Sequence, residues 1–303
     1  MAVGVAVAAG TLAACGSSGS STGTATGNGT IRIVAGQNQY GNVASQVGGR
    51  YVSVSSVERN PNVDPHSYEV SPGVADEVSN AQVVIENGLG YDSFLDKVEA
   101  ATPDAGRKVI NVQHLLGLPD DTPNPHLWYD PKTMPAVADR LAADLSAIQP
   151  AHAATFRANA DAFVASLGPW LAAIASFKAS HAGTRAATTE PVADYLLEAM
   201  GIDILTPFQF QADIMNGTDP SPQDITLEDG FFTRHQVKVF CYNQQVVDPL
   251  TTSVRQTAQA AGVPVVGVYE TMPTPGYDYQ SWMLAETTAI RDAVVHGTST
   301  EHL

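Results

Sequence analysis

Cysteine is almost absent from this sequence, with only Cys15 and Cys241 among 303 residues. Thiolate zinc sites and disulfide frameworks both require more cysteines at regular spacings. Cys241 lies in the apolar stretch VKVFCYN, which predicts a buried strand in which the thiol acts as a small hydrophobic side chain. Any metal site must therefore use nitrogen and oxygen ligands.

Positive charge is also scarce, because 15 Lys and Arg residues face 31 Asp and Glu residues and the net charge is −16. An acidic surface repels phosphate backbones, so we expect no nucleic-acid partner. The same acidity is compatible with a cationic ligand.

No apolar run at the N-terminus is long enough to span a bilayer, since the Ala- and Val-rich stretch of residues 2–14 is too short. It ends in LAAC, at Cys15, and continues into GSSGSSTGTATGNGT. Small residues after a short apolar region are typical of a secretory cleavage site. With cysteine at that position the segment resembles a bacterial lipoprotein signal. We therefore predict a signal over residues 1–15 that ends at a lipidated Cys15, a flexible tether over 16–30, and an extracytoplasmic protein anchored to the cell membrane.

From residue 30 onward, short β-branched runs alternate with amphipathic helical segments, which predicts an α/β fold with mainly parallel sheets. Four strands are predicted before residue 112 and four after residue 183. Between them, a helical stretch interrupted by Gly168-Pro169 predicts one long, kinked helix. The prediction is two lobes, each a four-stranded sheet flanked by helices, joined by that helix, with boundaries at 31–150, 151–180 and 181–303.

Two loops of the predicted first lobe contain the same unusual element, a histidine directly after Asx-Pro. They read NPNVDPHSYEVSP around His66 and TPNPHLWYDP around His126. Proline fixes its own φ and restricts the preceding residue, so each loop is a stiff local frame for its imidazole. His66 follows the second predicted strand and His126 follows the fourth.

Two glutamates hold corresponding positions in the predicted second lobe: Glu190, in TRAATTEPVADYL, and Glu270, in VPVVGVYETMP, each follow a predicted strand. The carboxyl ends of parallel strands form the ligand-binding edge of such sheets. Two imidazoles and two carboxylates balance a divalent cation and favour a transition metal over calcium or magnesium. Taken singly, either glutamate fits better as a solvated acid near a helix N-terminus, and it is the convergence of four candidates on one edge that favours a metal site.

These motifs together resemble the cluster A-I metal-binding solute-binding proteins, the zinc/manganese receptors of ABC importers. DPHSYEVSP, NPHLWYDP, TEPVADYLLEAMG and VYETMP correspond to the family's four ligand segments, and ENGLGYD, which contains Tyr91, to a segment lining its first lobe. The resemblance implies metal ligands at His66, His126, Glu190 and Glu270. At Glu190, zinc-type members have His and manganese-type members Glu, and the family usually has Asp at Glu270.

The resemblance implies capture of Zn²⁺ or Mn²⁺ as a transported ligand and its delivery to a membrane permease, with no enzymatic activity. We expect a monomer. The acids after the two histidines, Glu69 and Asp130, are predicted to order their loops, and Tyr91 to line the cleft. Two alternatives stay open at this point. One is a metallohydrolase, although no HExxH motif is present. The other is a surface adhesin or scaffold with a structural metal.

Overall fold

The computed structural model describes residues 29–67 and 71–303. The predicted signal and most of the predicted tether, with Cys15, lie outside the described residues, as does Glu69. The first half of the chain alternates strands and helices as the apolar runs predict. In chain order these elements are β1 (Ile31–Gln37), α1 (Asn38–Gly48), β2 (Val52–Glu58), α2 (Pro72–Ser79), β3 (Val83–Glu86), α3 (Ser93–Ala101), β4 (Lys108–Asn111), α4 (Val112–Leu115) and α5 (Thr133–Ile148).

A helical segment follows, and the alternation then begins again. The remaining elements are α6 (Ala153–Ser166), α7 (Gly168–His181), β5 (Arg185–Thr188), α8 (Asp194–Ala199), β6 (Asp203–Ile204), α9 (Phe208–Met215), α10 (Pro222–Thr233), β7 (Val239–Asn243), α11 (Pro249–Ala260), β8 (Val265–Val268) and α12 (Tyr279–His296).

The strands form two four-stranded parallel sheets, ordered β2-β1-β3-β4 in the first lobe and β6-β5-β7-β8 in the second. Buried β-branched residues pair across the central strands of the first sheet, as Ile33 does with Val83. Strands β3, β7 and β8 are buried throughout, because helices cover both faces of a parallel sheet. The predicted fold class is confirmed: among the described residues, four strands precede residue 112 and four follow residue 183, as predicted.

The helix that links the lobes is bent, as predicted. It divides at Leu167 into α6 and α7, and Pro169 stands at the start of α7, where its missing N–H removes an intrahelical hydrogen bond. Phe163, Trp170 and Ile174 are buried, and α6 packs on α1 and α5 while α7 packs on α12. The stretch Pro150–His181 is long and apolar enough to cross a membrane, a criterion that long helices of non-membrane proteins also meet.

One continuous hydrophobic core joins the two lobes beneath the cleft. It contains Ile33 and Trp128 from the first lobe and Val268 and Trp282 from the second. Polar contacts reinforce this junction: Tyr279 donates a hydrogen bond to the Trp128 carbonyl (2.6 Å). The floor of the cleft is therefore built from both lobes.

Candidate metal centre

The four residues that the sequence singles out occur at equivalent places in the two lobes. His66 lies in a helical turn (Pro65–Ser67) after β2, and His126 directly precedes another turn (Leu127–Tyr129) after β4. Glu190 and Glu270 each stand two residues after the end of a strand, β5 and β8 respectively. All four therefore project from the carboxyl edges of their sheets, where such folds bind ligands.

Three of these side chains meet at a single carboxylate oxygen. The Nε2 atoms of His66 and His126 lie 3.1 Å and 3.2 Å from Oε2 of Glu270. One ligand atom from each of the three residues lies within 4.8 Å of the other two. The contact crosses the cleft, because the histidines belong to the first lobe and the glutamate to the second.

The orientation of His126 is fixed by Asn124. The Nδ2 of Asn124 donates to the Pro191 carbonyl (2.8 Å), so its Oδ1 must be the acceptor for His126 N (3.0 Å) and His126 Nδ1 (2.8 Å). The proton of a neutral His126 therefore lies on Nδ1, and the Nε2 lone pair faces Glu270. A second hydrogen bond that fixes the tautomer in this way is the usual arrangement of metal-ligating histidines.

His66 is held more loosely and is the most accessible of the group. Its backbone N–H donates to Asp64 Oδ1 (2.8 Å), which shapes the turn, while 21% of its side chain is exposed. A cavity of about 370 Å³ opens beside it and is lined from both lobes, by Asp64, His66, Met215, Asn216 and Gly217. His66 therefore lies on the route between solvent and the buried ligands.

Tyr91 completes the first lobe's contribution through a sharp turn after β3. Gly88 and Gly90 adopt positive φ angles of 81° and 77°, and a Cβ at Gly88 would collide with Gln113. Asp92 accepts the backbone N–H groups of Asn87 (2.6 Å) and Gly88 (3.1 Å), which closes the turn. The Tyr91 hydroxyl then donates to Glu270 Oε2 at 2.8 Å.

Amides from β7 hold the carboxylates of the second lobe. Asn243 Nδ2 donates to Glu190 Oε1 (3.0 Å) and to Glu270 Oε1 (2.7 Å). Gln245 Oε1 accepts the backbone N–H of Glu270 (2.7 Å), and its Nε2 donates to the Val63 carbonyl near His66 (2.7 Å). Glu190 is thus joined to the cluster through Asn243 rather than by direct contact with the histidines.

Burial and the Glu270 charge set the protonation of the site. Burial opposes ionisation of Glu270, but the two histidines outweigh it and hold the pKa of its carboxyl well below the ordinary value. Burial would lower the pKa of His66, yet Glu270 raises it overall, whereas at fully buried His126 burial prevails and lowers the pKa. Burial, and then the charge of Glu270, raises the pKa of Glu190. Because these groups bind a metal ion only when deprotonated, a divalent cation would compete with protons at His66 and Glu190.

The remaining predicted residues fall in different places. Tyr91 contacts the cluster, whereas Asp130 lies three residues before α5, where its Oδ1 accepts the Lys132 N–H (3.0 Å). Sequence reasoning missed Asn124, Asn243 and Gln245. Asn124 was visible in the Asn-Pro-His motif itself, and Asn243 carried a positional signal, because it ends a predicted strand on the edge that bears the glutamates.

Two parallel-sheet lobes with histidines and carboxylates facing each other across the cleft define a two-lobed metal-binding solute-binding protein. The model of one protein family, described as ZnuA, zinc-uptake complex component A, periplasmic, matches residues 33–293. The chain belongs to this family, and the sequence-based assignment to the metal-binding receptors is confirmed.

Individual relatives agree with this membership. The manganese-binding lipoprotein MntA of Bacillus subtilis (strain 168) is 29% identical over 136 residues, which cover 43% of this chain and 44% of the relative. The chain spans about half the length, 44% and 52%, of the first curated relatives it matches.

Solved structures share the fold across nearly the whole described chain. The Mn-bound periplasmic metal-binding protein of Candidatus Liberibacter asiaticus superposes with a TM-score of 0.71 at 20% identity, over 88% of this chain and 100% of that one. The Ni²⁺ complex of the protein FpvC from P. aeruginosa superposes with a TM-score of 0.72 at 20% identity, over 89% and 99%.

Proposed function

We propose that this protein captures a divalent transition-metal ion, Zn²⁺ or Mn²⁺, between its lobes outside the cytoplasm and delivers it to the permease of an ABC transporter. The ion is the transported substrate, held by His66, His126, Glu190 and Glu270. The observation that carries the proposal is the convergence of two imidazole Nε2 atoms on one carboxylate oxygen from the opposite lobe. Family membership and the manganese-binding relatives support it.

The chemistry of the ligand set suits reversible capture. Two neutral imidazoles and two carboxylates balance the charge of a divalent ion. The polar supports, which are Asn124, Tyr91, Asn243 and Gln245, already orient the ligands and reduce the cost of binding. The partly exposed His66 gives the ion a way out, which a receptor needs and a purely structural site does not.

Equilibrium dialysis of purified protein, followed by metal analysis and competition with a chelator, tests capture. We expect one ion per chain and release on a timescale of transport rather than permanent retention. Protein that binds no divalent transition metal, or that never releases it, would contradict the proposal.

We further propose that Cys15 carries the membrane anchor, that the chain acts as a monomer without enzymatic activity, and that the boundaries of the three folded segments lie at 31–150, 151–180 and 181–303. Tyr91, Glu69 and Asp130 act as supporting residues rather than ligands. No observation favours the metallohydrolase or adhesin alternatives, since the family is described as part of a zinc-uptake complex.

The anchor has its own test, in the bacterial cells that express the protein. Cys15→Ser should move the protein from the membrane to the soluble fraction or leave it unprocessed, with metal binding by the folded lobes unaffected. If the variant fractionates like the parent and the parent incorporates no labelled fatty acid, Cys15 is not lipidated.

A further inference from the structure

A single amide group in the site contacts both carboxylates of the second lobe. Asn243, at the end of β7 and 1% exposed, donates from Nδ2 to Oε1 of Glu190 (3.0 Å) and to Oε1 of Glu270 (2.7 Å). The primary amide has two N–H bonds, and each is used on a different carboxylate.

The orientation of this amide is fixed by its own contacts. Asn243 Oδ1 accepts the Gln245 backbone N–H (3.0 Å), and Asn243 N donates to Thr189 Oγ1 (3.0 Å). A flipped amide would place Oδ1 against two carboxylate oxygens and Nδ2 against an N–H donor. The hydrogen-bond network therefore admits only the orientation in which Nδ2 faces the glutamates.

As a consequence, each carboxylate has one oxygen that Asn243 does not contact. For Glu270 this is Oε2, the atom that both histidines approach and that also accepts the Tyr91 hydroxyl. For Glu190 it is also Oε2, which is buried and has no hydrogen-bond partner among the described residues. A buried carboxylate oxygen without a partner costs free energy unless a ligand satisfies it, so this atom marks the missing fourth contact.

We propose that Asn243 sets the coordination number of the captured ion, by holding one oxygen of each glutamate so that both bind through a single atom, and thereby favours zinc over manganese. This inference rests on the proposed function, because it takes the four proposed ligands as given. Two nitrogens and two single oxygens make four ligands, the number that zinc adopts most readily. Manganese prefers six oxygen-rich ligands, and the two Oε1 atoms that Asn243 holds are the oxygens of the two glutamates that could raise the number from four to six.

The first experiment needs no variant. Co²⁺ substitutes for zinc and reports its coordination number, since four-coordinate Co²⁺ absorbs visible light far more intensely than six-coordinate Co²⁺. With binding of one ion established by dialysis, we expect the intense absorption. Bound Co²⁺ with only weak absorption would overturn the coordination proposal and leave metal capture intact, whereas failure to bind any metal would overturn capture itself.

The second experiment removes the amide. In Asn243→Ala both Oε1 atoms are freed, so zinc affinity should fall by about 10–100-fold, the range for altered supporting residues, while manganese affinity falls less or rises. The Co²⁺ absorption should weaken in the same variant. Equal changes for both metals with an unchanged Co²⁺ spectrum would show that Asn243 is merely structural.

The matched control is Asn38→Ala. Asn38 is also buried, but its side-chain hydrogen bonds go to the backbone of Met272 (2.9 and 3.0 Å). The Asn38→Ala variant should have the same ratio of zinc affinity to manganese affinity, and the same Co²⁺ spectrum, as the parent. If Asn243→Ala does not fold, Asn243→Ser takes its place. The serine hydroxyl can donate to only one carboxylate, so the ratio of zinc affinity to manganese affinity should still decrease. An unchanged ratio would contradict the proposal.

Discussion

The two lobes contribute to the site in physically different ways. In the first lobe each histidine is oriented by neighbours in its own loop, His66 through Asp64 and His126 through Asn124. In the second lobe Glu190 and Glu270 are held by Asn243, which stands on β7, between the strands that carry them. One half of the site is thus encoded locally in the chain, and the other half is created by the order of strands in a sheet.

The four proposed ligands also differ in accessibility. Glu190 and Glu270 are at most 2% exposed, and His126 is fully buried, whereas the His66 side chain is 21% exposed beside the cavity. In the proposed site the buried residues form a prearranged base for the ion, and His66 is the proposed ligand that can close over it or leave it. The expected effects of single substitutions therefore differ in size.

The largest expected effect is at Glu270, where the contributions of the two lobes meet. Glu270→Gln removes the charge that both histidines face, so metal affinity should fall by more than about 100-fold, beyond the range for supporting residues. Competitive titration against a chelator measures this loss. The control is Glu286→Gln, a buried acid that bonds to Tyr129 and Trp282 instead, and it should bind metal normally. Near-parental affinity in Glu270→Gln would remove Glu270 from the ligand set.

Within the first lobe, His126→Ala should weaken binding more than His66→Ala. His126 is buried and already oriented by Asn124, whereas His66 must become more ordered when it binds the ion. Both losses should be clear in the same titration, while His152→Ala, which removes a ring stacked on Tyr51, and His296→Ala should have little effect. Equal effects at all four histidines would contradict the assignment.

The sequence predicted the two histidines of the first lobe, because each Asx-Pro-His motif contains both the proposed ligand and the backbone that positions it. It also predicted the positions of Glu190 and Glu270, since strand ends can be read from apolar runs. It could not predict that β7 lies between β5 and β8, because sheet order is decided by long-range packing. Asn243 and Gln245 were missed for this reason. Sequence spacing also could not predict that Glu190 lies apart from the cluster of His66, His126 and Glu270, because that distance is set by the three-dimensional fold.

Glu190 tests whether the ion has a fourth protein ligand beyond the two histidines and Glu270. A ligand that binds only the folded state stabilises it by about 4 kcal/mol at a thousandfold excess over Kd, and by about 1.4 kcal/mol at a tenfold excess. If Glu190→Gln weakens binding by about 100-fold, the metal-induced rise in Tm should therefore shrink by more than half. Tm without metal should change much less. An undiminished metal-induced shift would confine the site to the histidines and Glu270.

The last comparison separates a ligand carboxyl of the second lobe from a structural one. Glu228, on α10, is fully buried, and its Oε1 accepts a hydrogen bond from Thr206 (3.1 Å). Burial raises the pKa of Glu228 to about 8, from an ordinary value of 4.5. Between these values the folded state keeps a proton that the unfolded state has lost. Stability should therefore fall by about 1.4 kcal/mol per pH unit as the pH rises through this window.

Glu228→Gln retains the acceptor for Thr206 and cannot ionise. Urea denaturation in the presence of a chelator should give similar stabilities for parent and variant near pH 5 and a more stable variant at pH 8. Added metal should not alter this difference in stability, because Glu228 has no contact with the cluster. At Glu190, by contrast, bound metal should reduce the free-energy cost of burying an ionised carboxylate. Parallel pH profiles for parent and variant would mean that the buried Glu228 carboxyl carries no proton in the folded state.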